Sequence, residues 1–255
     1  MLFVCTGRRL ARSHLFTLVL GFACVALLSM PAGAGEATPF ALRDAETQDD
    51  STSNITILGA FDLGPLNDTY EGMRELSGLA WDSDEKVLYA ISDRGFLLHL
   101  QPNLTQGRLA GVTVKQQFHL LDAGGNRLRG KRADAEGLTA LNQDNGIKGD
   151  TILLVSFERR PRIDQYSPRG TWLGSEVIAQ DLRSKKQYVD SNKGLEAVST
   201  SPIYGTLTAP ELPLPGLDQS RITVFDRNGP AFTLPRFDAA NSALVALDSL
   251  RSEEH

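Results

Sequence analysis

The sequence predicts an all-β fold, from a repeated motif, its regular spacing and the lack of long helical patterns beyond the N-terminal region. A carboxylate, a glycine and an apolar residue precede a turn and a strand-like run at 134–138 and, earlier, at 75–79. A degraded copy follows at 192–198. The unit that repeats is a pair of strands, so the whole chain is expected to be built from hairpins.

The repeats are almost equally spaced. Gly78 and Gly137 are 59 residues apart, and Gly137 and Gly194 are 57 residues apart. Near-constant spacing of one supersecondary unit is typical of a repeat protein. For antiparallel strand pairs it predicts a propeller-like array around a common axis.

The N-terminal segment has the pattern of a secretory signal. Residues 1–14 are basic, 15–28 are apolar, and Ala32, Gly33 and Ala34 form a small-residue cleavage site. We therefore predict a signal-peptide helix in 1–34, a flexible leader in 35–54 and a propeller domain in 55–255. This predicts export to the periplasm or the extracellular space. The alternative is that the segment 1–34 stays uncleaved as a membrane anchor, and only then would the chain be attached to a membrane.

Short β-rich runs bounded by turn residues follow from residue 55 onward. The first repeat contains a turn at 82–85 and ends in a polar loop at 122–134, and the second carries an insertion at 142–149. The predicted strands are 55–59, 79–81, 87–92, 96–100, 111–121, 151–157, 162–166, 206–208, 221–226 and, as the opening of a fourth repeat, 243–250.

Closure of such an array is a physical requirement, because open sheet edges invite association. Three repeats and the opening of a fourth are too few to close a ring. The sequence therefore predicts an open or incomplete propeller that is a C-terminally truncated fragment of a longer protein. Missing blades supplied by a partner are the alternative.

Composition excludes several classes of function. The net charge is −5, and it becomes −8 without residues 1–34, so a nucleic-acid partner is not expected. Both cysteines, Cys5 and Cys24, lie in the predicted signal, which excludes cysteine chemistry and Cys-ligated zinc in the mature chain. His99 and His119 lie in β-rich runs and are expected to pack, so a Ser-His-acid triad is not predicted.

The recurring acids suggest a cation site. In a radial array the first strand of each unit lies nearest the axis, so Glu75, Asp134, Glu136 and Glu196 should share one cavity mouth. Carboxylates held so close repel each other unless a cation or arginines offset the charge. Calcium binds six to eight oxygen ligands and suits this acidic site, which lacks cysteine and is poor in histidine.

Acid–arginine pairs close the second strands of the first two units, at Asp93-Arg94 and Glu158-Arg159. Arg94, Arg159 and Arg162 could hold an anionic group by forked hydrogen bonds. The alternative is that each acid–arginine pair ties one blade to the next.

These motifs together resemble the phytase-like β-propeller family, described as "esterase-like activity of phytase". The residues that carry the resemblance are Glu75, Ser77-Gly78-Leu79 and 91–95 in the first unit, 134–138 and 157–159 in the second, and 192–197 in the third. The resemblance implies an exported propeller that hydrolyses phosphate or carboxylate esters, with a calcium site by analogy.

The resulting hypothesis is metal-assisted hydrolysis of a small anionic ester. Its catalytic candidates are Glu136, Glu196, Arg94 and Arg159. Its metal candidates are Glu75, Asp93, Asp134, Glu136, Glu158 and Glu196. The alternatives are a non-catalytic envelope propeller that binds a small anion or a partner protein at the same mouth, and an acidic ring with a purely structural role.

Overall fold

The computed structural model describes residues 38–39, 59–190, 192–236 and 242–249. Within these ranges the chain is all-β, which confirms the predicted fold class. The predicted signal 1–34 and nearly all of the leader lie outside the described residues. In chain order the strands are β1 (Thr38–Pro39), β2 (Phe61–Asp62), β3 (Leu76–Asp82), β4 (Val87–Ser92), β5 (Phe96–Thr105), β6 (Arg108–His119), β7 (Ala135–Leu141), β8 (Ile152–Phe157), β9 (Arg162–Tyr166), β10 (Trp172–Ser175), β11 (Leu195–Ser201), β12 (Gly205–Pro210), β13 (Arg221–Phe225) and β14 (Pro230–Pro235).

Helical structure is limited to short 3₁₀ segments in the described part of the chain, and none of its helices is long and apolar enough to cross a membrane. The 3₁₀ helices are Gly64–Asp68, Glu71–Met73, Gly130–Arg132, Gln180–Leu182 and Lys185–Gln187.

Three four-stranded antiparallel sheets, which we call blades, account for β3 to β14. Blade 1 is β3–β6, blade 2 is β7–β10 and blade 3 is β11–β14, and in each the strands pair in sequence order. β3 lies beside β7, and β7 lies beside β11, so the first strands of the blades are neighbours. This is the propeller-like arrangement that the repeat predicted.

Apolar layers fill the space between blades. One core lies between blades 1 and 2 and includes Ile91, Leu97, Leu153 and Phe157, all fully buried. A second lies between blades 2 and 3. Burial of such side chains, at about 25 cal/mol per Å² of apolar surface, is the main force that holds the blades together.

The outer faces of blades 1 and 3 are also partly covered. Leu66 and Met73, from the segment before β3, pack against blade 1. Leu244 and Leu247 pack against blade 3. The predicted strand at 243–250 is wrong within the described residues 242–249, which contain no strand. The Leu244 N–H donates to the Glu211 carbonyl at 3.0 Å instead of joining a ladder.

Glycine permits the close approach of the first strands. A Cβ on Gly78 would lie 2.9 Å from the Glu136 carbonyl oxygen. A Cβ on Gly137 would lie 2.5 Å from Ser156 Oγ and 2.7 Å from the Val198 nitrogen. Only a residue without a side chain fits where the backbones crowd in this way.

We predict that Gly137→Ala lowers the free energy of unfolding by about 1–3 kcal/mol, because the added methyl forces β7 away from β11. Thermal or urea denaturation followed by circular dichroism would measure it. Gly174→Ala is the matched control, since a Cβ there meets only Gln165 Oε1 at 3.8 Å. Equal effects of the two substitutions would contradict the role assigned to the close approach.

Candidate functional site

A β-bulge interrupts the first strand of every blade at the same place. The pairing register shifts between Leu76 and Gly78 in β3, between Ala135 and Leu138 in β7, and between Leu195 and Ala197 in β11. Bulges re-aim the side chain of the extra residue. The residues at this point are Ser77, Glu136 and Glu196, so two blades present a glutamate there and one presents a serine.

A second equivalent position follows the second strand of each blade. The N–H groups of Asp93, Glu158 and Glu211 donate to the carbonyls of Glu75, Asp134 and Gly194, at 3.1, 3.0 and 3.0 Å. These three acids therefore occupy the same place in the three blades.

This pairing corrects the alignment of the third repeat. Gly194 is equivalent to Glu75 and Asp134, and Ala197 is equivalent to Gly78 and Gly137. The spacing from Gly137 to its true counterpart is 60 residues rather than 57. Position 194 requires a glycine for a separate steric reason, because a Cβ there would lie 2.7 Å from the Glu158 carbonyl oxygen.

Two carboxylate clusters form where these positions meet. The blade-2 cluster consists of Asp134, Glu136 and Glu158, and the blade-3 cluster consists of Glu158, Glu196 and Glu211. Within each, one oxygen of every carboxylate lies within 4.8 Å of the others. Glu158 is 6% exposed and belongs to both. Glu75 and Asp93 lie next to the blade-2 cluster and interact electrostatically with each other and, through Asp93, with Asp134.

Burial and mutual repulsion raise the pKa values of four acids. The pKa of Glu196 rises to about 9, chiefly by burial and then by the charge of Glu136. The pKa of Glu136 rises to about 8, by burial and by Glu158. For Glu158 the pKa rises to about 7 and for Asp93 to about 6, in both cases mainly by burial. The clusters therefore retain protons near neutral pH when no cation is bound.

Basic side chains approach the acids within the same blade. Arg159 Nε lies 2.9 Å from Asp134 Oδ2, and Lys193 Nζ lies 2.6 Å from Glu211 Oε1. Arg94 is 3.5 Å from Glu71 and 4.0 Å from Glu75. The alternative in which acid–arginine pairs tie one blade to the next is wrong for Arg94 and Arg159. Arg159 pairs with Asp134 of its own blade. Arg94 pairs with Glu71 and Glu75, which precede the first strand of its own blade.

A cleft of about 680 Å³ opens beside the blade-2 cluster. Four acids border it: Glu71, Glu75, Asp93 and Asp134. Five basic residues border it as well: Arg94, Arg127, Arg129, Lys131 and Arg159. His119, predicted only to pack, also lines it and lies beside Phe96. The cleft thus combines oxygen ligands with cationic side chains.

Three of those basic residues come from the loop 122–134, to which the sequence assigned no role. Asp122 holds the start of this loop by accepting hydrogen bonds from the N–H groups of Gly124 and Asn126, both at 3.0 Å. Its carboxylate also pairs with Arg132 at 3.4 Å. Within the described part of the chain, Arg127, Arg129 and Lys131 form no ion pair, so their charge is available to a ligand.

The structure does not bring every predicted residue to the cleft. Arg162 donates to Asp164 Oδ2 at 2.6 Å and to the Arg132 carbonyl at 2.7 Å, and its guanidinium stacks on Phe157. Glu136, Glu158 and Glu196 belong to the two clusters and do not line the cleft. Glu75 and Asp93 line the cleft but belong to neither cluster.

The donor set of the blade-2 cluster fits a hard divalent cation. It offers carboxylate oxygens alone, which calcium prefers. Asp134 Oδ2 and Asp93 Oδ1 are buried and accept no hydrogen bond from the described residues, although Asp134 is close enough to Arg159 for an ion pair. Glu75 has a φ of 58°, and a non-glycine residue in the left-handed region is often found at a functional site.

A comparison with family models matches residues 71–252 to the family "Phytase-like: Esterase-like activity of phytase". A comparison with curated protein sequences gave no significant match.

Two solved structures illustrate the structural likeness. A Dos1 propeller is 10% identical over 63% of this chain and 36% of its own, with a TM-score of 0.34. The Neurospora crassa Pan2 WD40 domain is 15% identical over 69% of this chain and 41% of its own, with a TM-score of 0.31. The chain therefore spans less than half the length of either structure.

We predict that, without divalent cations, the protein loses stability as pH rises from about 5 to about 9. Well below about pH 4 the clustered acids are protonated both in the folded and in the unfolded chain. As pH rises, the unfolded chain ionises first and the folded chain keeps its protons, so ionisation favours unfolding. Thermal denaturation across this range would measure the effect.

Glu196→Gln is the informative variant for this prediction, because a neutral amide replaces the carboxyl whose pKa is raised most. It should unfold at a higher temperature than the unmodified protein above pH 7 and show a weaker pH dependence. Stability that rises with pH in the unmodified protein would contradict the electrostatic description of the clusters.

Proposed function

The chain belongs to the phytase-like family, and on this premise we propose that it hydrolyses phosphate esters in the cleft with the help of a divalent cation. One observation carries the proposal: Asp134, a member of the blade-2 cluster, lines the same cleft as five basic side chains. Oxygen ligands for a cation beside cationic groups for an anion are the combination that phosphoryl-group chemistry uses.

Asp134, Glu136 and Glu158 would hold the cation. When bound, a divalent cation would supply charge neutralisation and Lewis acidity at the phosphate oxygens. Glu136 lies in the β-bulge of β7, Asp134 directly precedes β7, and Glu158 directly follows β8. Pairing between β7 and β8 therefore fixes the separation of the three side chains. The catalytic roles predicted for Glu136 and Glu196 stay predictions.

Arg94 and Arg159 would hold the anionic group of the ester. Each is already oriented by an acid on the cleft wall, through its pair with Glu71 or Asp134. A guanidinium held in this way presents forked N–H donors to a phosphate. Arg127, Arg129 and Lys131 line the same cleft and add positive charge from the loop 122–134.

Asp93 is the best-placed general base. It lines the cleft, and its pKa is raised to about 6 by burial and by Glu75, which suits proton transfer near neutral pH. In the proposed reaction Asp93 takes a proton from water, the water oxygen bonds to phosphorus, and the ester P–O bond breaks. The leaving alkoxide is then protonated by solvent, which balances the hydrolysis.

A second candidate is an exported propeller that binds a small anion without turnover. The surplus of basic over acidic side chains around the cleft supports anion binding by itself. Export, in either version, rests on the predicted signal at 1–34. The proposed partner is a small anionic ester or ligand, and calcium is the proposed ion.

We predict that the full chain hydrolyses p-nitrophenyl phosphate only when calcium is present. Asp93→Asn should lower kcat by about 10²–10⁴-fold, because the base is lost. Arg159→Met should raise KM by about tenfold or more, because a charge-assisted contact is lost. The release of p-nitrophenol, recorded with and without calcium, measures both effects.

Arg160→Met is the matched control, since Arg160 is exposed and does not line the cleft. Its kinetic constants should match those of the unmodified protein. No turnover with calcium, together with binding of inorganic phosphate that Arg159→Met abolishes, would replace the hydrolase with the anion-binding candidate.

A further inference from the structure

Lys193 brings a positive charge to the blade-3 cluster. Its ammonium lies 2.6 Å from Glu211 Oε1, and its side chain is 39% exposed while that of Glu211 is 13% exposed. The hydrogen bond to Glu211 raises the pKa of Lys193, and Glu196 and Glu158 raise it further. All three acids of the blade-3 cluster thus act on one ammonium group.

The neighbouring residue shows that this segment faces the cluster. The Gly194 N–H donates to Glu158 Oε1 at 3.4 Å in a buried setting. Gly194 stands where blades 1 and 2 have Glu75 and Asp134, so blade 3 lacks the acid of that position. Blade 3 instead has the positively charged side chain of Lys193, one residue before Gly194.

From these contacts we propose that the Lys193 ammonium is the resident cation of the blade-3 cluster, so that the two clusters together take one divalent ion, at Asp134, Glu136 and Glu158. An ammonium is a compact point charge with three donors, which lets it replace a metal ion among carboxylate oxygens. The inference rests on the proposed function in one respect, namely that the blade-2 cluster binds a divalent cation.

Charge balance supports a single ion. The two clusters contain five different carboxylates, and Arg159 and Lys193 are the basic groups paired with them. With every carboxylate ionised, the set carries a net charge of minus three, and one divalent ion reduces this to minus one. A second divalent ion would give the set a net positive charge. Without the Lys193 charge, two divalent ions would bring the net charge of the set to zero.

Calcium titration of the full chain by isothermal calorimetry tests the inference. The unmodified protein should bind one calcium ion that Asp134→Asn removes. Lys193→Met should bind two, and the added ion should disappear when Glu211→Gln is combined with it. Lys193→Gln is a second variant with the same expected gain, and circular dichroism verifies that each variant is folded.

Two controls separate the local effect from a change in net charge. Lys193→Arg keeps the charge and should still bind one ion. Lys148→Met removes an exposed charge elsewhere and should also bind one. A single ion in both Lys193→Met and Lys193→Gln, or two ions in the unmodified protein, would overturn the inference.

The same titration distinguishes this inference from the proposed function. No calcium in the unmodified protein, but one ion in Lys193→Met, would refute the blade-2 ion site and support the role of Lys193. No calcium in any variant would refute both.

Discussion

Carboxylates converge where the first strands of three blades approach each other, and the rest of the site follows from their repulsion. The strands lie so close that Gly78 and Gly137 have no room for a side chain. The bulges in β7 and β11 turn Glu136 and Glu196 toward the same region, and the ends of the second strands add Glu158 and Glu211. Repulsion of this kind is relieved by protons, by basic side chains or by a bound cation.

The blades relieve this repulsion in different ways. Blade 1 has Ser77 at the bulge, and the Ser77 hydroxyl donates to the Ala135 carbonyl of blade 2, so this position carries no charge. Blade 2 carries three acids and pairs Asp134 with Arg159. Blade 3 replaces one acid with Gly194 and brings in Lys193. The blade-2 cluster therefore stays acidic, and its member Asp134 lines the cleft.

Much of the fold could be predicted from the sequence, because the signals were local. The hairpins at 87–100 and 151–166 are β-rich apolar runs bounded by turn residues, and both are present. β10 and β14 were missed: the first is short and contains Gly174, and the second is an edge strand with proline at both ends, a position where proline is tolerated.

The site was predictable only in part. Glu136 and Glu196 were recognised as acids of the repeated motif, and Glu158 as part of an acid–arginine pair at the end of a second strand. The degraded third motif gave an alignment that was three residues out, because the register depends on hydrogen bonds between strands, such as that from Glu211 to Gly194. Arg127, Arg129 and Lys131 carry no motif, and only the folded loop brings them to the cleft.

Proton release on calcium binding tests the central claim most directly. If Glu136 and Glu158 retain protons because they are buried beside other carboxylates, a cation at the blade-2 cluster must displace those protons. Titration of weakly buffered protein at pH 7 with calcium chloride should release about one proton for each ion bound, and less at pH 9. Calcium binding that releases no proton at pH 7 would contradict the account.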